Sequence, residues 1–438
     1  MKKRIIYILF NCGALLLFFS ATAQQTFTLK QAIETALKNS LSIEIGKNYV
    51  EIAGINNNYG IAGGLPVITG TATDADQSVD INQKYANPAN DKTSNNVGSN
   101  SFAANVTGSI LITNGKRVVS AKKMYETVEQ QTKQQLDSRI QSIVVNIMLK
   151  YYDIIRQQSY AKTLQRSIEV SKQKLEIVKT QQSVGMANNA DLYQAEVDLN
   201  TQIQLLQAQQ LIIDQDKTDL LYMLTINPDS SINIADTAIT IDKSIQLDAV
   251  LSSIPAHPDL VAAQDQILIN QYIEKQTAAQ RYPSLSANTG YNFTRNQSSA
   301  GFSLLNLQRG PFVGITLGVP IFNGGIYKRQ QQIAGINIKN AELQKDTLLN
   351  NYTANTIKNW QAYTSNIQQL QQAQQNYELS QKLLDLVIQR FQYRQATILD
   401  VNAAQQSFEN AANLLVNISY AAKAAEVQLN RYANRVVY

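Results

Sequence analysis

The sequence predicts an α+β membrane protein made of two tandem copies of one unit, in which a helix is followed by two strands and a long helical hairpin. Two long stretches, residues 89–227 and 321–438, contain no proline. Four shorter runs alternate between apolar and polar residues, and equivalent residues recur at one fixed spacing along the chain. These three observations predict the helices, the strands and the duplication, respectively.

The N-terminus has the pattern of a secretory signal peptide, predicted over residues 1–23. A basic segment, Met1–Arg4, precedes an apolar run, Ile5–Ser20, and the small residues Ala21–Ala23 follow. A membrane anchor is the alternative, but the apolar run is shorter than the ~20 residues that a spanning helix needs. We therefore expect the mature chain to begin at Gln24.

Composition excludes several kinds of function. The chain has one cysteine, Cys12, and one histidine, His257, so it lacks the pair needed for a disulfide and the histidine cluster of a zinc site. No nucleophile-base pair stands at a usable spacing, so we predict no enzyme and no cofactor. Removal of the three basic residues of the signal peptide lowers the formal net charge from +5 to +2, which does not predict binding to nucleic acid.

Four long helices are predicted from the placement of glycine. Between residues 116 and 227 Gly185 is the only glycine, and beyond residue 325 Gly335 is the only one. Glycine and proline cost about 1 and about 3 kcal/mol in a helix interior, so their absence favours helix. A helix from Gly115 to Gly185 would be roughly 105 Å long, which is typical of a coiled coil or a helical barrel. The predicted helices span about residues 115–185, 190–226, 325–393 and 398–435.

The two halves of the chain repeat one another. Asn114–Gly115 matches Asn323–Gly324 at a spacing of 209 residues, from 114 to 323, and the same spacing relates Asp191 to Asp400. One register that holds over such a span predicts a tandem duplication. The predicted copies are residues 24–227 and 228–438.

Each copy contains two runs that alternate as β-strands do. In the second copy Val313, Ile315 and Leu317 share one face, and Gly314 and Thr316 share the other. Such runs of about 9–11 residues suit transmembrane strands around a wet lumen, although two surface hairpins would show the same alternation. The signal peptide and the aromatic residues near the run ends favour the membrane. The predicted strands are about residues 66–76, 101–113, 283–295 and 311–322, and the predicted external loops are Gln77–Ser101 and Asn296–Gly310.

Four strands cannot close a barrel, and an open sheet edge is not tolerated in lipid. Closed membrane barrels begin at about eight strands. The membrane interpretation therefore requires at least a dimer, with about eight strands, or a trimer, with about twelve.

With this plan, the chain resembles the TolC family of outer-membrane efflux channels over essentially the whole predicted mature sequence. The resemblance rests on the order and doubling of short motifs, including an Asp-Val/Leu-x-x-Ala motif that begins at Asp191 and again at Asp400. The strand-to-helix junctions that carry it contain Pro320, Asn323, Gly324 and Gly325 in the second copy and Asn114 and Gly115 in the first.

The resemblance implies a homotrimer whose twelve-stranded outer-membrane β-barrel continues as a periplasmic α-helical barrel. It implies outer-membrane lipid, a periplasmic adaptor protein and an inner-membrane pump of the RND, ABC or MFS type as partners. The expected location is the outer membrane of a Gram-negative-type envelope, with the helices extending into the periplasm.

The resemblance also implies functional residues at the helix ends. The adaptor-docking tip corresponds to Val184, Gly185 and Met186 in the first copy and to Tyr393, Arg394 and Gln395 in the second, and Arg394 stands where the family usually has glycine. Asp400 and Asp191 match acidic positions near the tunnel end, where threefold rings of carboxylates would form a channel gate. The alternative for both is a structural role, since aspartate is also a good helix N-cap.

The function that follows is the exit duct of a tripartite export system for efflux or type I secretion, with no substrate indicated. The alternative is a secreted or periplasmic coiled-coil scaffold or adhesin without a pore. Outside these sites, we expect His257 to be a solvated loop residue and Trp360 to be a helix-packing aromatic.

Overall fold

The computed structural model describes residues 25–300 and 303–436, so the predicted signal peptide lies outside the described residues. These residues form eight α-helices and six β-strands, and none of these helices combines the length and apolarity needed to cross a membrane. The helices are α1 Leu29–Asn39, α2 Leu41–Asn56, α3 Arg117–Ser183, α4 Asn189–Met223, α5 Leu247–Ser253, α6 Pro258–Ala279, α7 Ile326–Gln392 and α8 Ile398–Tyr432. The strands are β1 Gln25–Phe27, β2 Val67–Gln83, β3 Lys92–Thr113, β4 Ile232–Ile234, β5 Ser284–Ser298 and β6 Leu305–Gly318.

The chain folds as two compact units, each assembled from segments of both halves. The strand unit consists of residues 47–135 and 259–347. The helical unit consists of residues 25–46, 136–258 and 348–436 of the described chain. Helices α2, α3 and α7 contribute residues to both units, and α6 begins in the helical unit with Pro258.

The strand unit contains a four-stranded antiparallel sheet in the order β2, β3, β5, β6. Hairpins join β2 to β3 and β5 to β6, whereas β3 and β5 pair across the two halves of the chain, with Ala104 opposite Phe293. β2 and β6 are the outer edges of the sheet. Among residues 25–300 and 303–436, neither edge pairs with a further strand.

One face of this sheet is apolar and the other is polar, because side chains alternate along each strand. Val313, Ile315 and Leu317 of β6 lie on the same face and are exposed. On the opposite face the Asn288 amide donates a hydrogen bond of 3.0 Å to the Thr316 hydroxyl. A row of exposed aliphatic side chains indicates a surface that faces an apolar environment.

The strands extend farther than predicted at their hairpin ends. The predicted loop Gln77–Ser101 was too long, because β2 continues to Gln83 and β3 begins at Lys92. The predicted loop Asn296–Gly310 was also too long, because β5 continues to Ser298 and β6 begins at Leu305. The last predicted strand was wrong at its other end. It stops at Gly318, two residues before Pro320, which has no amide hydrogen for a strand ladder.

Cross-strand hydrogen bonds explain how the polar extensions remain strands. In the extensions, the Asn96 backbone amide donates to the Asp80 carboxylate at 2.8 Å, and the Ser78 hydroxyl donates to the Asn96 side-chain oxygen at 3.3 Å. The Ser101 hydroxyl donates to Asn296 on β5 at 2.8 Å. Such contacts therefore connect three neighbouring strands. Aspartate and asparagine predict loops from sequence alone because these partners become visible only when the strands are paired.

The two strand-to-helix junctions share one backbone conformation. Gly115 and Lys116 have φ of 65° and 67°, and Gly324 and Gly325, at the same places in the second copy, have φ of 66° and 73°. Only glycine adopts this left-handed conformation without cost. Lys116 is therefore strained by about 1 kcal/mol where the second copy has Gly325.

Asn114 and Asn323 begin the two junctions. The backbone carbonyl of each accepts a hydrogen bond of 3.3 Å from the first residue of the helix that follows. This bond holds the chain as it changes from strand to helix. The junction residues that the sequence singled out therefore have a structural role in the strand unit.

In the helical unit, Tyr151 connects the helices to a small parallel sheet of β1 and β4. Its ring is fully buried in an apolar cluster with Ile147 and Leu220. The hydroxyl lies 3.0 Å from the Phe27 carbonyl and 2.6 Å from the Asp236 carboxylate. Burial, followed by the Asp236 carboxylate, raises the pKa of Tyr151, so the hydroxyl keeps the proton that it donates.

His257 and Trp360 can be compared directly with their predictions. His257 is 0% exposed and lies edge-on to Tyr352 with ring centroids 4.8 Å apart, so the predicted solvated loop residue was wrong. It is the C-cap residue of the short 3-10 turn Ile254–Ala256. Trp360 packs against the cluster that contains Tyr363, as predicted for a packing aromatic.

The junctions generate a prediction for paired glycine substitutions. A Cβ at Gly115 would lie 2.8 Å from the Tyr282 Cβ, whereas a Cβ at Gly324 would have no atom within 4 Å. Both changes add left-handed strain of about 1 kcal/mol, but only Gly115→Ala adds a clash. We expect Gly115→Ala to lower the thermal midpoint of the helical circular-dichroism signal more than Gly324→Ala. Equal midpoints would contradict the tight approach of Tyr282.

Candidate functional site

The helical unit has two helix tips, tip 1 (residues 184–188) between α3 and α4 and tip 2 (residues 393–397) between α7 and α8. Gly185 has φ of 72° and Arg394, its equivalent, has φ of 63°. The next amide in each tip donates back across the turn at 2.8 Å, from Met186 to the Gln181 carbonyl and from Gln395 to the Arg390 carbonyl. The duplication thus preserves one turn geometry, although tip 2 adopts it without glycine.

Arg394 connects the two tips. Its guanidinium donates a hydrogen bond of 3.3 Å to the Met186 carbonyl of tip 1. A second arginine, Arg390, donates to the Gln395 carbonyl at 2.9 Å within tip 2. The side chain of Arg394 therefore provides a contact that glycine could not make, at the cost of left-handed backbone strain.

The predicted docking residues form an exposed surface. Val184 and Met186 of tip 1 and Tyr393 of tip 2 are exposed, and Leu399 at the start of α8 is exposed beside them in sequence. The Arg394 hydrogen bond brings the two sets of docking residues together. Exposed aliphatic and aromatic side chains in one place are typical of a protein-binding surface.

Asp191 and Asp400 occupy equivalent positions in two capping boxes. The helix N-caps are Asn188 and Thr397, so each aspartate is the third helical residue rather than the N-cap that the sequence suggested. The Asp191 amide donates to the Asn188 side chain at 2.8 Å, and the Asp191 carboxylate accepts from the Asn188 amide at 3.3 Å. Both aspartates therefore order the start of a returning helix.

The Asp400 carboxylate makes the stronger contacts. One oxygen, Oδ2, accepts from the Thr397 amide at 2.7 Å and from the Thr397 hydroxyl at 2.8 Å. These two hydrogen bonds hold the pKa of Asp400 below its ordinary value. Asp400 is exposed and stays ionised at neutral pH, so it can present a negative charge to solvent.

Sequence reasoning missed a buried polar group, which we call the Lys174 cluster: Lys174, Ser171, Asp198, Asn402 and Gln405. The Lys174 ammonium is fully buried and donates to Asp198 on α4 and to Asn402 on α8, both at 2.5 Å. Burial opposes ionisation of Asp198, but the hydrogen bonds from Lys174 and Gln194 keep its pKa below the ordinary value. The cluster joins three helices and borders a polar cleft of about 240 Å³.

The sequence does contain a signal for Lys174, which is the difference between the two copies at this position. Its equivalent at the 209-residue spacing is Leu383, and the equivalent of Asp198 is Ser407. A lysine in one copy where the other has leucine marks a place where the two hairpins meet different surroundings. No group of three or more possible metal ligands occurs in the described part of the chain.

Comparison with known proteins gives one family match and several solved structures with a similar fold. The family model described as outer membrane efflux protein matches residues 32–221 and 252–435, one stretch in each predicted copy. Among curated proteins, none matches the chain. Solved structures that are similar include VceC from Vibrio cholerae, at 17% identity and a TM-score of 0.75, over 92% of this chain and 95% of that one.

Two further structures show the same likeness. The CmeC outer membrane channel from Campylobacter jejuni is 18% identical with a TM-score of 0.76, covering 93% of this chain and 85% of that one. The MtrE outer membrane channel from Neisseria gonorrhoeae is 15% identical with a TM-score of 0.70, covering 92% and 88%. At these identities the likeness is one of fold.

Arg394 generates a prediction for tip 2. Arg394→Ala keeps the backbone strain but loses the bond to Met186, whereas Arg394→Gly loses the bond and removes strain of about 1 kcal/mol. We therefore expect the Gln395 amide to exchange hydrogen faster in Arg394→Ala than in Arg394→Gly, by roughly fivefold. Hydrogen-exchange mass spectrometry on tip peptides measures this.

The matched control is Gly185→Ala, which introduces the same strain at tip 1. It should accelerate exchange at Met186 by a similar factor. If the Gln395 amide exchanges in both Arg394→Ala and Arg394→Gly as it does in the unmodified protein, this prediction is wrong. Neither the backbone strain at residue 394 nor the hydrogen bond to Met186 then affects the stability of tip 2.

Proposed function

This chain belongs to the outer membrane efflux protein family, whose model matches both of its halves. From that premise we propose that it works as an outer-membrane exit channel for efflux that is assembled from three copies. Three copies assemble so that their sheets close one β-barrel of twelve strands and their helical units form one tunnel. The barrel lies in the outer membrane and the tunnel extends into the periplasm. The channel itself carries out no reaction, and the partner pump supplies the energy.

The observation that carries this proposal is the sheet, which has one apolar face and two edges that pair with no other strand of the described chain. Lipid offers no hydrogen bonds to the edge peptide groups of β2 and β6, so edges must pair with edges of other copies. Two copies would give a barrel of about eight strands, and side chains fill the interior of a barrel of that size. Three copies give about twelve and leave room for a conduit.

The tips support docking of a periplasmic adaptor. Val184, Met186 and Tyr393 are apolar and exposed, which is costly in water unless a partner covers them. Gly185 and Arg394 hold the two turns in one shape, and Gln395 closes the second turn. The adaptor then connects the channel to an inner-membrane pump of the RND, ABC or MFS type.

Asp400 and Asp191 form the proposed gate. In a threefold assembly each would be repeated as a ring of carboxylates, which attracts cations and repels anions. Within the described chain the hydrogen bonds to the Asp400 carboxylate fall on Oδ2, so Oδ1 is available to a permeating cation. The predicted alternative, a scaffold or adhesin without a pore, is not supported by the family to which the chain belongs.

Single-channel recording in lipid bilayers tests the channel and the gate together. We expect the purified protein to insert and conduct, and multivalent cations such as hexaamminecobalt to block it from the periplasmic side. Asp400→Ala should weaken this block about tenfold, equivalent to ~1.4 kcal/mol. Asp191→Ala is the matched variant. The variant whose cation block weakens more identifies whether the Asp400 or the Asp191 carboxylates form the narrower ring.

Two results would count against the proposal. A protein that is released by osmotic shock and never conducts is not an outer-membrane channel. A channel that conducts normally and whose block changes in neither variant has its cation site elsewhere.

A further inference from the structure

Two arginines lie on the apolar face of the four-stranded sheet. Arg309 of β6 stands directly opposite Phe293 of β5, and Arg295 of β5 stands directly opposite Leu307 of β6. Residues that face each other across an antiparallel pair project to the same side, and side chains alternate along a strand. Arg309 and Arg295 are therefore on the face that carries Val313. Both arginines are exposed.

The two arginines are diagonal neighbours on adjacent strands. Such diagonal pairs have Cα atoms about 7–8 Å apart, a distance that long side chains span. The guanidinium groups of Arg295 and Arg309 are therefore near enough to contact one ligand from two sides. Each guanidinium has five N–H donors and keeps its positive charge at every physiological pH.

Arg295 is held by its own chain, whereas Arg309 is not. Arg295 donates a hydrogen bond of 2.9 Å to the Asn100 side-chain oxygen on β3. The Asn100 amide in turn donates to Asp74 at 2.7 Å and to Asp76 at 2.9 Å, both on β2. The Arg309 guanidinium has no hydrogen bond or ion pair within the described chain. The acidic pair thus lies on one edge strand and Arg309 on the other, with two strands between them.

The position of Arg309 along β6 matches the rim of a membrane-spanning band. A strand rises about 3.3 Å per residue, so Arg309 lies about 26 Å from Leu317 along β6. At a barrel tilt of about 40° this is about 20 Å along the membrane normal, and the apolar band of a membrane barrel is about 25 Å tall. Tyr291 and Phe293, on the same face as Arg309, supply the aromatic residues that are typical of such a rim.

This rim is the one that lies away from the helices. The β5–β6 hairpin joins the strands near Arg309, and α7 continues from the other end of β6. A charged side chain is costly at the centre of the lipid and is tolerated near the headgroups, which a long arginine side chain reaches from the rim. Phosphate is an anionic group of lipid headgroups, and a guanidinium binds phosphate through two parallel N–H···O hydrogen bonds.

We propose that Arg309 and Arg295 together bind the phosphate of an anionic lipid headgroup in the outer leaflet of the membrane. This inference rests on the proposed function, which places the sheet in the outer membrane with its hairpins outward. Asn100 holds Arg295 as a fixed donor, and Arg309 approaches the same phosphate from β6. A channel of three copies has one such site on each copy.

A carboxylate of a second copy is the competing occupant. β6 is an edge strand, and in the proposed barrel it pairs with β2 of the next copy, which carries Asp74 and Asp76 on the same face. Those carboxylates already accept hydrogen bonds from Asn100 of their own chain, and Arg295 lies one strand in from the edge. Two arginines on adjacent strands of one chain therefore favour the lipid phosphate.

Native mass spectrometry of the purified full-length protein, titrated with phosphatidylglycerol in detergent, tests the site. Digalactosyldiacylglycerol with the same acyl chains has no phosphate and is the comparison lipid. We expect the protein to retain one phosphatidylglycerol per copy and no glycolipid. Arg309→Gln should weaken phosphatidylglycerol binding about tenfold, as expected for the loss of a hydrogen bond between charged groups. The double variant Arg295→Gln with Arg309→Gln should retain none.

The matched control is Lys92→Gln, which removes the same charge from the same sheet. Lys92 is exposed and begins β3 at the far end of the β2–β3 hairpin, beyond the rim. This variant should bind phosphatidylglycerol like the unmodified protein. Arg309→Lys keeps the charge but loses the planar fork, so its binding should fall between that of the unmodified protein and that of Arg309→Gln. Equal weakening in Lys92→Gln and Arg309→Gln would reflect net charge alone and would contradict the site.

The masses in the same spectra separate this inference from the proposed function. A trimer whose phosphatidylglycerol binding is unchanged in the double variant overturns the lipid site and leaves the channel intact. If Arg309→Gln and Asp74→Asn each lower the trimer fraction while lipid binding is unchanged, Arg309 pairs with a carboxylate of a second copy instead. A protein that is monomeric and never conducts overturns the proposed function, and the lipid site with it.

Discussion

The peptide groups along the outer edges of β2 and β6 need hydrogen-bond partners that the described chain does not contain. In water such edges would be hydrated, but in lipid each unpaired group costs several kcal/mol. The apolar face of the same sheet favours lipid, since Val313, Ile315 and Leu317 are exposed on it. The proposed assembly of copies satisfies both requirements together, because it pairs the edges and keeps the apolar face outward. In that proposal the oligomer is part of the fold rather than an addition to it.

Because of the duplication, equivalent positions in the two halves share one backbone conformation but carry different side chains. The junctions use left-handed residues at the same places, with Lys116 opposite Gly325, and the tips do the same with Gly185 opposite Arg394. Where the copies differ, the surroundings differ. Arg394 replaces glycine and gains a contact with tip 1, and Lys174 replaces leucine where the hairpins meet inside the chain. Chemical divergence between equivalent positions thus marks the contacts that the two hairpins make with each other within the chain.

Much of the fold follows from local sequence rules, and the remainder depends on contacts between distant residues. The long helices end within a few residues of their predicted bounds, because glycine and proline act locally. The outer strand segments were missed because Asp80 and Asn96 look like loop residues until a neighbouring strand provides partners. His257 was missed for a similar reason, since its burial depends on Tyr352, far along the chain. At the tips, the sequence located Asp400 and Arg394 but not the hydrogen bonds that define them.

Electron cryomicroscopy of the full chain in lipid nanodiscs tests the central claim most directly, because it shows how the sheet edges are satisfied. We expect three copies around one axis, with β2 of each copy hydrogen-bonded to β6 of the next in a closed barrel of about twelve strands. A single copy in the bilayer with both edges unpaired, or an assembly in which the sheets do not meet, would contradict it.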